Sequence, residues 1–406
     1  MHEESAQEQT GTGAVARSLF PGNSASGRSF VNRGEEKKRL VDYISSARSA
    51  WFDCPPRYGV GTVTQQALKD MRYWREPRIT SYSCELRQIF DARSFCNALL
   101  ECTGQLASQT IRRANVEADY VEKLFVGIEK QLYLDEKLLQ TIRFVPADDV
   151  LADLQQAILD LDEIAGREGC RNVYLLQDFQ QIMALKDCNE LLSLLRGLIE
   201  QCNNATWLIS GNNQYAMQTL FAQGGAMHGC ASRFILRPIN STTYAQYLSD
   251  AAQSQWNCFI GRKATAMILA LTEKHPYWFN QLCQRLWSSD LPPVIQDVVT
   301  QWRELVRENR HISSRQLELL SPNQRAVLHC LAETPTNQPR AKRFVARTRI
   351  SSASVGQAIS ILAQRDLIRR DVDDVWCVAD PALQWSLFPR MDIVDTIYED
   401  SPDLFL

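Results

Sequence analysis

The stretch WFDCPPRYGVGTVTQQALKD, Trp51 to Asp70, decides how the rest of the chain is read. A short apolar run, Trp51 and Phe52, enters a turn rich in Pro and Gly, and a helical pattern follows. That is the strand–loop–helix order of a phosphate-binding loop, whose pattern is G-x-x-x-x-G-K-[ST]. In that pattern the Lys reaches the outer phosphates and the Ser or Thr hydroxyl holds Mg²⁺. Here Gly59 is followed by Val60 and Gly61. The frame of the loop is present and its two working side chains are not.

Strand and helix patterns alternate on both sides of this loop. A helix is expected from about Glu35, and SAWFDC reads as a buried strand. Val63 to Tyr73 reads as the helix after the loop, RITSYSCEL as a second strand, and Ala92 to about Leu139 as two helices. NVYLLQDFQQI, ATWLISGNN and RFILRPI supply further strands, with amphipathic helices between them. This alternation from residue 50 to 240 predicts an α/β fold with a parallel sheet flanked by helices. From about 241 to 310 the pattern is wholly helical. Then LSPNQRAVLHCLAE, SSASVGQAISILAQRDLIRRD and a strand pair around VWCVADP predict a winged helix-turn-helix. The expected divisions are a disordered tail over 1–27, an α/β domain over 28–240, a helical lid over 241–318, a winged helix over 319–390 and a tail over 391–406.

Composition narrows the function classes. The 406 residues are 45% hydrophobic and 22% charged, which is ordinary for a globular protein. No run of 18 apolar residues suggests a membrane span. The N-terminus MHEESAQEQTGTG lacks the basic start and apolar core of a signal peptide, so a cytoplasmic location is expected. Twelve cysteines are scattered without a CxxC pair, and the five histidines show no metal spacing, so buried reduced thiols and no metal site are expected.

Seven segments taken in order resemble one family, the archaeal-type P-loop ATPases of the AAA+/STAND group, relatives of the origin-recognition ATPases. FVNRGEE is similar to the family's opening F-x-[ND]-R-[ED]-x-E, and PPRYGVGTVT to its phosphate loop. VYLLQDFQ resembles its apolar strand ending in D-E, and WLISGNN its strand ending in the first sensor. ASRFILRPI, HPYWFNQLC and the C-terminal winged helix complete the series. The resemblance runs from about Phe30 to Leu387 and implies a P-loop sheet, a helical lid and a winged helix.

Against the family pattern, the nucleotide site is degenerate. Cys54 takes the first Gly, Val60 the Lys and Gly61 the Thr. Thr62 comes one place late, and one residue at a helix start rotates a side chain by about 100°. Backbone amides around Gly59 still face an anion at a helix N-terminus, so weak ATP or ADP binding without hydrolysis stays open. Arg57 adds a charge there or forms an ion pair. Gln177 and Asp178 stand where the family has Asp and Glu, and Gln lacks the charge Mg²⁺ prefers. Asn212 replaces the sensor Ser. Arg233 matches an arginine that contacts nucleotide in the family; a structural ion pair is the other reading. Phosphoryl transfer depends on positioning and electrostatics, and the missing groups supply both. The expectation is a protein with no catalytic residues, in which hydrolysis is lost and no cofactor is required.

Charge supplies the other signal. From Arg340 to Arg370 there are eight basic residues and one acid, a net of +7, which leaves about −10 for the rest of a chain of net charge −3. A basic patch on a winged helix points to double-stranded DNA. The expected contacts are Arg343, Arg347, Arg349, Ser352, Ser354, Gln357, Arg369 and Arg370. A protein partner or active ATPase, and self-association, are further expectations. Two other readings stay open: an ATP-dependent switch with atypical motifs, and an interaction scaffold that does not bind DNA.

Overall fold

The structure, a computed structural model, describes residues 19–22, 29, 31, 33–114, 125, 128–134, 140–145, 148–371 and 373–399. They divide into two compact units. One consists of Gly34–Pro56 and Val63–Leu236; the other consists of Arg57–Thr62, the chain from Arg237 onward and the described residues before Gly34.

The first unit is built on a five-stranded sheet. In chain order its strands are β1 (Ala50–Asp53), β2 (Arg78–Glu85), β5 (Cys170–Gln177), β6 (Ala205–Ile209) and β7 (Ser232–Ile235). They lie in the order β2-β5-β6-β1-β7 and every pairing is parallel. A parallel sheet is covered on both faces, so its inner strands read as continuous apolar runs rather than alternating ones. AWFD and ATWLI are buried at every position. Cross-strand pairs fix the register: Tyr174 lies opposite Trp207, and their rings stack 4.1 Å apart. The helices α1 (Gly34–Ser45), α2 (Val60–Met71), α3 (Ala92–Ala114), α4 (Val150–Arg167), α5 (Cys188–Gln201) and α6 (Gln214–Phe221) connect the strands. Asp149 and Asn213 cap α4 and α6 by accepting from Ala152 N and Ala216 N. Asp162 accepts from Asn203 N and Asn204 N, at 3.0 and 2.7 Å, and so sets the turn into β6.

One expectation fails here. Two helices were expected between Ala92 and Leu139, but Lys130–Leu134 (β3) and Gln140–Phe144 (β4) pair as an antiparallel hairpin. In QTIRF the apolar residues alternate, Ile142 and Phe144 being buried while Arg143 is exposed, which is the two-residue period of a strand. Residues 115–124 and 135–139 lie outside the described residues.

The second unit is mostly helical. The helices α7 (Ser241–Trp256), α8 (Arg262–Leu271), α9 (Pro276–Leu286) and α10 (Ile295–Glu318) are followed by α11 (Pro322–Glu333), α12 (Lys342–Thr348) and α13 (Ser352–Gln364). Then come an antiparallel pair, β8 (Ile368–Arg370) and β9 (Trp376–Val378), and two helices, α14 (Pro381–Leu387) and α15 (Met391–Glu399). An aromatic core holds the unit together. Tyr244 stacks on Phe279 at 3.7 Å, and Trp287 and Trp302 are fully buried. Ala382, Trp385 and Val394 join the same core, and Trp278 Nε1 donates to Asp380 Oδ2 at 3.0 Å.

Both expected tails contribute to this core. Phe20 is fully buried and its ring packs 4.8 Å from that of Trp287. Met391–Glu399 is a helix with Val394 buried. Residues 1–18, 23–27 and 400–406, also within the expected tails, lie outside the described residues.

Candidate functional site

The loop quoted at the outset leaves β1 at Asp53 and enters α2 at Val60. Arg57 has φ 61 and Gly59 has φ 87, so the chain turns through the left-handed region twice. Arg57 is exposed, and its guanidinium lies over the Tyr277 ring, 4.4 Å from the centroid. This is a cation–π contact. Tyr58 is buried, and its ring meets His275 edge-on. The Tyr58 carbonyl accepts from Arg33 Nη2 at 3.1 Å, while Nη1 of the same buried arginine donates to Arg237 O at 2.7 Å. Val60 and Thr62 are half-buried and Gly61 is exposed. A Cβ built on Gly59 or Gly61 meets nothing within 4 Å.

The polar ends of the strands are cross-linked within the first unit. Gln177 Nε2 donates to Ser83 Oγ at 2.7 Å. Gln177 is the last residue of β5. Asp178 lies past the strand with φ 55, and its carboxylate accepts from Arg87 Nε at 3.1 Å. Asn212 and Gln180 bond reciprocally: Gln180 Nε2 donates to Asn212 Oδ1 at 2.6 Å, and Asn212 N donates to Gln180 Oε1 at 3.2 Å.

Arg233 lies opposite Trp51 across β1 and β7, so it shares a face with Asp53, two residues on. Arg233 Nε donates to Asp53 Oδ2 at 2.7 Å, forming an ion pair. Gln214 Nε2 and Gln218 Nε2, one turn apart on α6, donate to Asp53 Oδ1 at 2.7 and 3.0 Å. Asp53 was not singled out from the sequence. The available signal was a carboxylate closing a wholly apolar strand, since a buried charge needs partners.

The basic segment is less free than its composition suggests. Arg347 Nη1 donates to Thr334 Oγ1 at 2.6 Å, and the same guanidinium pairs with Glu333. Arg370 pairs with Asp374 and lies over the Trp376 ring. The Arg369 side chain is only 17% exposed and faces Glu273 at 3.9 Å. Burial pushes the Glu273 carboxyl up while Arg369 and Arg390 pull it back, and the net shift is upward. Arg365 Nη1 donates to Leu319 O at 2.9 Å. Ser351 caps α13 by accepting from Ser354 N at 3.1 Å, and the two hydroxyls lie 2.9 Å apart. Arg343, Arg349, Ser352 and Gln357 are exposed along α12, α13 and the turn between them.

No protein-family model and no curated protein matches the sequence. Solved structures do. The chain is similar to the Walker-type ATPase PABY2304 of Pyrococcus abyssi, with a TM-score of 0.60 and 13% identity over 90% of this chain and 97% of that one. It is also similar to the ORC2 protein of Aeropyrum pernix, with a TM-score of 0.50 and 14% identity over 94% and 97%. The fold is that of a Walker-type P-loop ATPase.

On that ATPase fold, a nucleotide with its Mg²⁺ needs a Lys, a hydroxyl and a carboxylate. From the sequence pattern, Val60, Gly61 and Gln177 are the residues expected at those positions. Among the described residues, no group of three or more His, Cys, Asp or Glu is arranged to hold a metal ion. No helix among them is long and apolar enough to cross a membrane.

Proposed function

We propose that this protein is a DNA-binding, catalytically degenerate relative of the origin-recognition ATPases, acting as a subunit or regulator within a larger assembly. The observation that carries the reading is the end of β5. Gln177 takes the metal-ligand position and is bonded to Ser83, while the carboxylate beside it, Asp178, is neutralised by Arg87. A site for Mg²⁺ needs an uncompensated negative charge. Arg233, which would face nucleotide in the family, is paired with Asp53. The same domain fold then serves as a frame, and partners include an active ATPase or effector, or a second copy of the chain. The Aeropyrum pernix protein was solved as ADPNP–ADP complexes; in this chain the corresponding loop lacks the Lys and hydroxyl.

The DNA-binding surface is a winged helix made of α11, α12, α13 and the β8–β9 pair. Its reading helix is α13, with Ser352, Ser354 and Gln357 toward base edges and Arg343 and Arg349 toward phosphates. Arg347 and Arg370 reach DNA only by leaving their acidic partners, and Arg369 serves the fold.

Three measurements test the proposal. Phosphate release with Mg²⁺-ATP is expected to stay at background, and ATP is expected to give no Mg²⁺-dependent thermal shift. A ligand at ~100 times its Kd would add about 2.7 kcal/mol of stability, which such a titration detects. Anisotropy with duplex DNA is expected to show binding that weakens with salt and is lost in Arg343→Glu with Arg349→Glu. Turnover by the wild type would overturn the degenerate reading. Unchanged duplex affinity in the double variant would leave a protein scaffold.

A further inference from the structure

A second feature of the first unit resembles neither a core element nor an ordinary surface turn. Between the end of α2 and the start of β2, the chain reads Lys69-Asp-Met-Arg-Tyr-Trp-Arg-Glu-Pro-Arg78. Tyr73 is 83% exposed and Trp74 is 37% exposed, and Lys69, Arg72 and Arg75 are exposed beside them. The turn is held at both ends. Met71 is fully buried, Trp74 N donates to Met71 O at 3.1 Å, and Arg78 N donates to Gly169 O at 3.0 Å. Two large rings are therefore presented to solvent by a fixed backbone.

The charges around the rings are cationic in balance. Four cations face two acids over Lys69–Arg78, and one of those acids, Asp70, is bound to Lys37 at 2.6 Å. Arg72 and Arg75 make no ion pair among the described residues. The Arg72 guanidinium lies 6.0 Å from the Tyr73 ring centroid, which puts a charge beside a stacking face. On a chain of net charge −3, this spacing is not the average surface.

We infer that the Lys69–Arg78 turn is a binding site for single-stranded nucleic acid, separate from the proposed duplex surface on α13. Exposed aromatic rings beside unpaired arginines match an unstacked strand on two counts. Each base offers a π-face to Tyr73 or Trp74, and the phosphates on either side meet Arg72 and Arg75. A duplex hides its base faces, so it satisfies only the arginines.

The test uses the full chain with a fluorescein-labelled oligothymidylate about 20 nucleotides long, which spans more than one binding site. Wild type is expected to bind it in a salt-dependent way. Tyr73→Ala with Trp74→Ala is expected to weaken that binding at least about fivefold and to leave duplex affinity unchanged. Arg72→Gln with Arg75→Gln is expected to lower the log–log salt slope for the strand by about 1.4. Arg343→Glu with Arg349→Glu is expected to leave strand binding intact, which keeps this site apart from the α13 surface. All six positions are exposed, and thermal melts are expected to match wild type. The inference is overturned if wild type does not bind the strand, or if the double aromatic variant binds it as wild type does. It also falls if that variant only alters the sedimentation of the protein alone, because the patch is then a contact between copies.

Discussion

The rings of Tyr58 and His275 meet edge-on, with centroids 4.8 Å apart and an interplanar angle of 84°. Tyr58 belongs to the loop that would cradle phosphates, and His275 opens α9. Both are buried, so protein contacts hold the loop tip. Tyr58→Ala is expected to cost about 3–5 kcal/mol in urea unfolding, as for other buried aromatic rings. A Tyr58→Ala/His275→Ala double-mutant cycle is expected to return a coupling of about 0.5–1.5 kcal/mol. A cost below that of an exposed substitution, about 0.5 kcal/mol, would show that the loop tip is not anchored there.

Restoring the Walker residues tests which losses matter. Val60→Lys with Gly61→Thr returns the cation and the hydroxyl, so ATP is expected to stabilise this variant more than wild type in a thermal shift. Turnover is still expected to be absent, because Gln177 stays bonded to Ser83 and offers Mg²⁺ no charge. Phosphate release by the two-residue variant would show that Gln177 is not the limiting defect.

Asp53 is 2% exposed and takes hydrogen bonds from Gln214, Gln218 and Arg233. Asp53→Ala leaves those donors without their acceptor and is expected to cost about 2–3 kcal/mol. Arg233→Ala is expected to cost more than an ordinary surface change, because it leaves a buried carboxylate with neutral donors only. Chemical denaturation of the two variants gives the comparison. If neither loses more than about 0.5 kcal/mol, the pair does not hold the sheet edge.

The α/β frame was legible because inner strands carry apolar runs; Ala50–Phe52 and Trp207–Ile209 announce a sheet covered on both faces. The β3–β4 hairpin was missed because its strands are short and lie beside stretches with helical composition. The charge count left out the partners of three arginines for a different reason. It set Arg347, Arg369 and Arg370 against the single acid within their own segment, while their partners, Glu333, Glu273 and Asp374, lie outside it. Asp374 is only four residues from Arg370, but Glu273 is brought in by tertiary folding. Sequence distance also hid Arg33, whose guanidinium joins Tyr58 to Arg237. Local pattern specifies elements, whereas ion-pair partners depend on where those elements pack.

Asp380 gives the stability of the second unit a pH dependence of known sign. Burial pushes its carboxyl up, against hydrogen bonds from Leu383 N, Trp278 Nε1 and Ala382 N, and the net shift is upward. The folded state therefore binds this proton more tightly than the unfolded state. Stability from this group is greatest at low pH and falls as pH rises from the ordinary aspartate value, about 3.9, through the folded value. Asp380→Asn cannot titrate and sets an amide N–H against the Trp278 indole, so it is expected to be less stable near neutrality. As pH falls from about 7 to about 4, wild type is expected to gain on the variant. Urea melts across that range decide it, and a gap that is constant or grows with pH would contradict the shift.

Gly356 lies in α13, and a Cβ added there would come within 2.5 Å of Arg340 Nη2. The glycine makes room for a guanidinium to lie along the helix proposed to read DNA. Backbone entropy alone favours Gly356→Ala by about 0.5–1 kcal/mol in a helix interior. The obstruction is the far end of a flexible side chain, so Arg340 moves away at little cost and the stability gain is expected to survive. Duplex binding is where the loss is expected. Arg340, seated along that helix, is expected to add a phosphate contact to those of Arg343 and Arg349; moved from its seat it loses that contact, and the log–log salt slope falls by about 0.9 without a change in sequence preference. Arg340→Gln is expected to lower the slope by the same amount without the gain in stability. Anisotropy at several salt concentrations, run beside thermal melts of both variants, separates the two effects. Gly356→Ala with raised stability and an unaltered slope would show that Arg340 plays no part in DNA binding.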